Sequence, residues 1–280
     1  MLAALDLFSD AQPGLRVGDV AARLGVSDST ASRLLARLEG REYVERHPET
    51  GLYTLGSRLL TLAGVAMNHS ELRRAALEEM HRLVHRLGLG ANLATLRRGA
   101  VFYLGNLDGR QAPRYYTLLG RHYPLHATGL GKVLLAWRRP AEVASLAGAS
   151  PGGQLRRFTA ATIGELGALQ ASLALVRRRG YATECEELAM GRACVAAPIR
   201  GRGGAVIAAM SVSGPVRVVN LPQREEELAA AVVDAAMRVS ERLGFVVPPQ
   251  GEPDAVSEDQ AAPPKEGARG CVSPGWSRST

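Results

Sequence analysis

The segment from Val17 to Leu38 constrains the fold of this chain more than any other. It predicts two short helices, Val17–Leu24 and Ser27–Leu38, joined at Gly25, which tolerates the backbone angles of a tight turn. Small and apolar residues occupy the positions where two such helices pack together. These positions are Val20, Ala21, Leu24, Val26, Ala31 and Leu34. The spacing predicts a helix-turn-helix, whose second helix can enter the major groove of DNA.

The outer face of the second helix carries side chains suited to that role. Short hydrogen-bonding residues lie near its N-terminal end and two arginines follow them, so base edges and phosphates are both within reach. Two strand-like runs, Tyr43–Arg46 and Leu52–Leu55, flank a Pro/Gly turn and predict a wing. The expected DNA-binding residues are Ser27, Ser29, Thr30, Ser32, Arg33, Arg37 and Arg46. An ordinary helical hairpin with a solvated polar face is the alternative.

Charge along the chain predicts that one copy of this motif binds DNA weakly. Residues 1–65 contain 7 Lys and Arg against 8 Asp and Glu, a net charge of −1. Because neutralisation of phosphates supplies most non-specific affinity, we expect dimerisation, which doubles the contacts. The basic excess lies instead in residues 66–140, with 12 basic residues against 4 acidic ones.

The region after the hairpin predicts a linker helix and a second domain of the α+β class. Gly56–Met67 has apolar residues at helical spacing, and Ser70 is the expected N-cap of a long amphipathic helix that ends at Gly88. The predicted strands are Ala91–Leu96, Val101–Leu104, Tyr115–Leu118, Ala193–Ile199 and Ala205–Ser213. The later predicted helices are Leu125–Trp137, Ala141–Ala147, Ile163–Arg179 and Gln223–Leu243, the last with acidic residues in its first turn.

Several classes of protein are excluded by composition. No apolar run approaches the roughly 18 residues that a membrane helix needs, and we expect no signal peptide. The chain has 3 cysteines, too few for a disulfide scaffold, which indicates a reducing cytoplasm. Residues 248–280 are rich in Pro, Gly, Ser, Glu and Ala without periodicity, so we expect a disordered tail.

Three separated motifs together resemble the isocitrate lyase regulator (IclR) family of bacterial transcription factors. The resemblance covers nearly all of residues 2–247. Its first motif is the helix-turn-helix with the wing. The second is Leu125–Ala136. The third begins with Gly180–Glu187, continues through Gly191 and Cys194–Ile199, and ends in Ser211–Pro215.

The resemblance implies a winged helix-turn-helix, a linker helix and a GAF-like α/β effector-binding domain. The expected boundaries are 1–55 for the winged helix, 56–69 for the linker, 70–247 for the effector domain and 248–280 for the tail. Family members are typically dimers or tetramers that bind palindromic operators and respond to small metabolites, often organic or aromatic acids. No cofactor and no catalytic residue is implied.

The ligand pocket of the family corresponds to a defined set of residues in this chain. They are Thr128, Gly129, Leu130, Gly131, Glu184, Arg192, Cys194, Ser211 and Ser213. Backbone N–H groups where the loop at Thr128–Gly131 enters a helix can hold a carboxylate. We expect Ser211 and Ser213 to need a ligand or a water, and we expect Glu184 to repel a carboxylate. The ligand would then also carry a hydroxyl or amine donor. Structural roles for the two glycines, and a solvent-facing Arg192, are the alternatives.

Three other readings of the second domain remain open at this point. Cys194 could be a catalytic nucleophile if the fold brings His126 near it as a base. The side chains of His126, Glu184 and Cys194 could instead hold a metal, although their spacing matches no local metal motif. A third possibility is a domain that only dimerises and senses nothing.

Overall fold

The computed structural model describes residues 2–111 and 119–246. The predicted strand at Tyr115–Leu118 and the predicted tail at 248–280 lie outside the described residues. The N-terminal part begins with a 3-10 helix at Leu2–Leu7. There follow α1 (Val17–Leu24), α2 (Asp28–Glu39), β1 (Val44–Arg46), β2 (Tyr53–Leu55) and α3 (Ser57–Asn68).

The predicted helix-turn-helix is present, and its turn forms for the expected reason. Gly25 has a φ of 66°, in the left-handed region, and ends α1. The Ser27 side chain accepts a hydrogen bond from the Thr30 backbone N–H and so caps α2. One expectation is wrong: Val26 is 37% exposed. Its backbone N–H bonds back to the Ala21 carbonyl, and this turn leaves the side chain facing solvent.

A small apolar core holds the N-terminal helices against the β1–β2 hairpin. The hairpin is antiparallel, and Tyr53 also pairs with Leu15 from the loop before α1. The buried residues of this core are Ala4, Leu15, Val20, Ala21, Ala31, Leu35, Leu38, Val44 and Tyr53. By contrast, α3 has no buried residue, and Leu60 is 78% exposed.

The C-terminal part is built on an antiparallel sheet of six strands in the order β5-β4-β3-β8-β7-β6. The strands are β3 (Gly90–Arg97), β4 (Ala100–Leu107), β5 (His122–Tyr123), β6 (Ala182–Cys185), β7 (Arg192–Arg200) and β8 (Val206–Pro215). The helices are α4 (Glu71–Leu87), α5 (Gly129–Ala136), α6 (Pro140–Leu146), α7 (Leu166–Arg179), α8 (Val216–Val219) and α9 (Leu221–Arg242).

The two faces of the sheet have different partners. In β8, Met210 and Val212 point into a core shared with α4 and α9. Ala209 points the other way, into a core shared with α5 and α7, and Ser211 and Ser213 follow it at alternate positions. The alternation therefore places both serines on the α5 side of the sheet.

Three features of the C-terminal part differ from the sequence-based expectation. Strands β5 and β6 were not predicted, since they are short edge strands without apolar alternation. Helix α9 begins at Leu221, directly after Asn220 turns the chain with a φ of 46°. The acidic residues Glu225 to Glu227 consequently lie beyond the first turn, which corrects their expected placement.

Candidate functional site

The outer face of α2 leaves its polar side chains available to a partner. Ser29, Thr30, Ser32, Arg33 and Arg37 are all exposed, and so is Arg46 on the wing. The Arg46 guanidinium lies 5.9 Å from the centre of the Tyr53 ring. The Ser27 hydroxyl differs from the others, because it caps α2 and lies 2.9 Å from the Thr30 hydroxyl.

A row of polar side chains crosses the α5 side of the sheet, and Asn92 on β3 is at its centre. The Asn92 side-chain N–H donates to the Ser211 hydroxyl at 3.3 Å and to the Ser213 hydroxyl at 3.0 Å. Its carbonyl oxygen accepts from the side chain of Asn106 at 2.9 Å. The expectation that only a ligand or water satisfies the serines is therefore wrong: a neighbouring strand supplies the donor.

Sequence reasoning missed Asn92 and Asn106. The available signal was an amide side chain, Asn92, inside the mainly apolar predicted strand Ala91–Leu96. Asn92 is fully buried, and a buried amide needs partners that only the adjacent strands provide.

Cys194 extends the same row towards the sheet edge, pairing with Ser213 on one side and Glu184 on the other. The Gly129 backbone N–H donates to its sulfur, and a Cβ at Gly129 would lie 2.7 Å from that sulfur. Burial, followed by the negative charge of Glu184, raises the pKa of the Cys194 thiol to about 12. The thiol is therefore neutral near pH 7.

The N-terminus of α5 already has protein partners for two of its backbone N–H groups. The Thr128 hydroxyl donates to the Pro124 carbonyl at 3.0 Å and accepts from the Gly131 N–H at 3.1 Å. Gly129 donates to Cys194. Two of the N–H groups that were expected to hold a carboxylate therefore already have acceptors within the protein. Leu130 packs in the apolar core on the α5 side of the sheet.

Glu184 faces the chain that follows β6. Its carboxylate accepts from the backbone N–H of Glu187 at 2.8 Å and of Leu188 at 3.3 Å. Burial raises the pKa of the Glu184 carboxyl, and the positive charge of Arg192 opposes that rise. One carboxylate oxygen of Glu184, Oε1, thus accepts both of these bonds within the protein.

Arg192 opens β7 and is 4% exposed, which excludes the solvent-facing alternative. It is hydrogen-bonded to the hydroxyl of Tyr103, a residue of β4. Burial raises the pKa of Tyr103 to about 12. The site therefore contains a buried guanidinium on the same strand face as Cys194.

A second buried cation, Lys132 on α5, forms an ion pair with Glu187 and donates to the Thr183 carbonyl at 3.0 Å. Burial raises the pKa of the Glu187 carboxyl, and the charge of Lys132 opposes the rise. The Glu187 carbonyl accepts from the Thr162 hydroxyl at 2.6 Å. These contacts join the segment after β6 to α5 and to the loop before α7.

His126, the base that a nucleophilic Cys194 would need, contacts other residues. Its known partners lie in the loop before α7: Nε2 is 2.8 Å from the Arg156 carbonyl, and the ring centre is 5.8 Å from that of Phe158. Burial lowers the pKa of His126, so the ring is neutral near pH 7. Within residues 2–111 and 119–246, no three His, Cys, Asp or Glu side chains are grouped to hold a metal. In the same residues, no helix has the length and apolar character to cross a bilayer.

Both parts of the chain match known family models. Residues 1–48 match the IclR helix-turn-helix domain, and residues 64–241 match the bacterial transcriptional regulator IclR C-terminal domain. The regulator XynR of Escherichia coli K12 is 35% identical over 87% of this chain and 95% of its own length. The glycerol operon regulatory protein of Streptomyces griseus is 33% identical over 86% and 94%.

Solved structures agree with these matches. The Thermotoga maritima IclR has a TM-score of 0.73 and 25% identity, covering 87% of this chain and 97% of its own. An IclR homologue from Microbacterium hydrocarbonoxydans, complexed with 4-hydroxybenzoate, has a TM-score of 0.74 and 28% identity, covering 86% and 96%. The predicted order of a helix-turn-helix followed by an effector domain is confirmed. The chain belongs to the IclR family of bacterial transcriptional regulators.

Proposed function

We propose that this regulator binds a palindromic operator as a dimer or tetramer and that a small hydroxylated organic acid sets its affinity for DNA. The main observation that supports an effector site is the row of polar side chains on the sheet face that α5 covers. The row consists of Asn106, Asn92, Ser213 and Cys194. A domain that served only to dimerise would gain nothing from buried amides and hydroxyls, which cost stability unless each is paired. Coupling between such a site and DNA is typically worth about 1–3 kcal/mol.

The chemistry of the site favours a ligand with a carboxylate and at least one hydroxyl. Arg192 supplies a buried positive charge for the carboxylate, with a planar group that can form two parallel hydrogen bonds. Asn92, Ser211 and Ser213 can exchange their mutual hydrogen bonds for bonds to ligand hydroxyls. The 4-hydroxybenzoate bound by a relative carries these two groups, which supports the proposal.

In this arrangement Glu184 need not repel a ligand carboxylate. Glu184 bonds to two backbone N–H groups, and burial raises its pKa. Thr128, Gly129, Leu130 and Gly131 then shape the wall of the site rather than bind the charged group.

We also propose that the chain has no enzymatic activity. A nucleophilic cysteine needs a thiolate or an adjacent base. The raised pKa of Cys194 argues against the thiolate, and the contacts of His126 with Arg156 and Phe158 argue against the base. The relatives named above are regulators, which is consistent with this view.

Self-association is proposed to use α3, which lies within the expected linker at 56–69. That linker separates the winged helix expected at 1–55 from the effector domain expected at 70–247. Leu60 is 78% exposed and Val65 is 55% exposed. Exposed apolar side chains grouped on one helix favour a partner surface. The net charge of −1 on residues 1–65 supports a dimer for the reason given above.

Two measurements test the proposal. Selection of bound sequences from a random duplex library should return a palindrome, whereas a random pool after selection would contradict DNA reading. Thermal shift with glycolate, glycerate, gluconate and 4-hydroxybenzoate should identify at least one stabilising acid. Ser213→Ala should reduce that shift, and Ser145→Ala, an exposed serine on α6, should not. Equal shifts in both variants would remove Ser213 from the site.

A further inference from the structure

Tyr103 connects the ligand site to another part of the effector domain. Its hydroxyl is hydrogen-bonded to Arg192, and its side chain is 1% exposed. Its ring meets the Tyr123 ring edge-on, with 5.2 Å between centres and 71° between planes. A change in the position of the Arg192 guanidinium therefore acts on a tightly packed ring, and dense packing transmits such displacements.

The backbone of Tyr103 also positions the chain that leads into β5. The Tyr103 N–H donates to the Arg121 carbonyl at 3.2 Å, and the Tyr103 carbonyl accepts from the Gly120 N–H at 3.0 Å. Both bonds hold the residues directly before β5 against β4. Tyr103, whose hydroxyl bonds to Arg192, is thus bonded through its backbone to Arg121.

The Arg121 side chain reaches the DNA-binding domain. Its guanidinium forms an ion pair with Asp10, which lies in the loop between the 3-10 helix and α1. The pair borders a cavity of about 540 Å³ lined by Phe8, Ser9, Asp10, Pro13, Thr54, Leu55 and Arg121. An ion pair across an open cavity can rearrange without repacking a core.

We propose that Arg192, Tyr103, Arg121 and Asp10 form a coupling route through which the effector site changes the position of the DNA-binding domain of the same chain. This inference rests on the proposed function and adds its means of regulation. A ligand carboxylate competes with the Tyr103 hydroxyl for the N–H groups of Arg192. Its binding thereby favours one arrangement of Tyr103, and only such a difference in contacts can shift a conformational equilibrium.

Hydrogen exchange followed by mass spectrometry tests the route on the unliganded full chain without DNA. The reporters are the backbone N–H groups of Gln12, which bonds to Ser9, and of Leu15, which bonds to Tyr53. Ser9 lines the same cavity as Asp10. We expect Asp10→Asn and Arg121→Gln each to speed their exchange about two- to five-fold, the range of an exposed ion pair. Tyr103→Phe, which removes only the hydroxyl, should do the same.

Non-additivity distinguishes coupling from independent local effects. Tyr103→Phe combined with Arg121→Gln should exchange no faster than the faster single variant, because both break one route. Coupling is reciprocal, so Asp10→Asn should also speed exchange at the Tyr103 and Gly120 N–H groups. Asp6→Asn removes an exposed carboxylate from the same segment and should change neither region.

Two results would overturn the route: unchanged Gln12 and Leu15 exchange in Tyr103→Phe, or strictly additive effects in the double variant. Melting temperatures measured on the same samples identify any variant that is globally unstable. If the Tyr103 or Arg121 variants are unstable, the test relies on Asp10→Asn, whose replaced side chain is exposed, and on exchange at the Tyr103 and Gly120 N–H groups. Neither DNA nor a ligand is needed. Failure of the route is therefore distinguishable from failure of operator or effector binding.

Discussion

Arg33 is the residue on α2 whose replacement best separates base reading from phosphate contact. It is exposed one turn after Ser29 on the face expected to enter the groove. Arg33→Ala should cost about 1–3 kcal/mol of binding to the selected palindrome if the guanidinium pairs with a guanine edge. Gel-shift titration on that palindrome and on random DNA provides the measurement.

The control for Arg33 is Arg41→Ala, which removes the same charge from an exposed position just after α2. It should weaken binding to both DNAs by a similar small factor. Equal losses on both DNAs for Arg33→Ala would make Arg33 a phosphate contact, and no loss would place it outside the interface.

Glu184 gives the fold a dependence on pH whose sign follows from its burial. Its folded pKa is raised above the ordinary value of 4.5, so its stabilising contribution is fully present below pH 4.5. That contribution is lost as the pH rises through the folded pKa. We expect Glu184→Gln, whose side-chain oxygen can still accept hydrogen bonds, to lose less stability than the parent between pH 4.5 and pH 8.

Thermal unfolding across that range tests the sign. Glu142→Gln is the contrast, because the hydrogen bond from Arg139 lowers the pKa of that exposed carboxyl. Because the contribution of Glu142 is lost only as the pH falls below 4.5, its removal should leave the slope between pH 4.5 and pH 8 nearly unchanged. A Glu184→Gln curve parallel to that of the parent would show that Glu184 does not titrate as proposed.

At the scale of elements, α5 meets the sheet so closely that its first residue must be small. The Cβ of an alanine at 129 would lie 2.7 Å from the buried Cys194 sulfur. We expect Gly129→Ala to destabilise the protein by about 1–3 kcal/mol, because the strand and the helix must separate. Urea unfolding gives the free energy of unfolding for this comparison.

Gly167→Ala is the matched control, since Gly167 lies in the first turn of α7 with no atom within 4 Å of the added methyl. Its effect should stay within about 0.5 kcal/mol or stabilise the helix slightly. Equal stabilities for the two variants would mean that the Cys194 side chain can move to make room for the added methyl group at little cost.

For the whole molecule, the exposed apolar surface of α3 predicts an interface between two copies of this chain. Leu60→Glu places a charge at a position that is 78% exposed in one chain, so the folded monomer should tolerate it. A second copy packed on that side chain would have to bury the charge. We expect light scattering to show a shift towards monomer at micromolar concentration.

Thr61→Glu, an exposed neighbour on α3, serves as the control for added charge and should leave the oligomer intact. Monomeric Leu60→Glu should also lose affinity for the palindrome, because a single DNA-binding domain without a basic excess binds DNA weakly and two copies double the phosphate contacts. An unchanged oligomer in Leu60→Glu would locate the interface elsewhere on the molecule.

The local signals in the sequence determined the elements that hold themselves together. Ser27 and Ser70 cap the helices predicted to follow them, and Gly25 and Gly88 end helices in the left-handed conformation. Each signal acts over a few residues, through a cap, a turn or the 3.6-residue period of an apolar face. The helix-turn-helix and the long helix after Ser70 were therefore predictable from the chain alone.

The tertiary structure decided which polar groups meet, and it decided the existence of β5 and β6. Short edge strands carry too few residues for a pattern, so pairing with β4 and β7 defines them. Asn92 and Ser213 are 121 residues apart, yet a hydrogen bond joins their side chains. Which groups become partners across such distances depends on strand order and register, and no local spacing encodes either property.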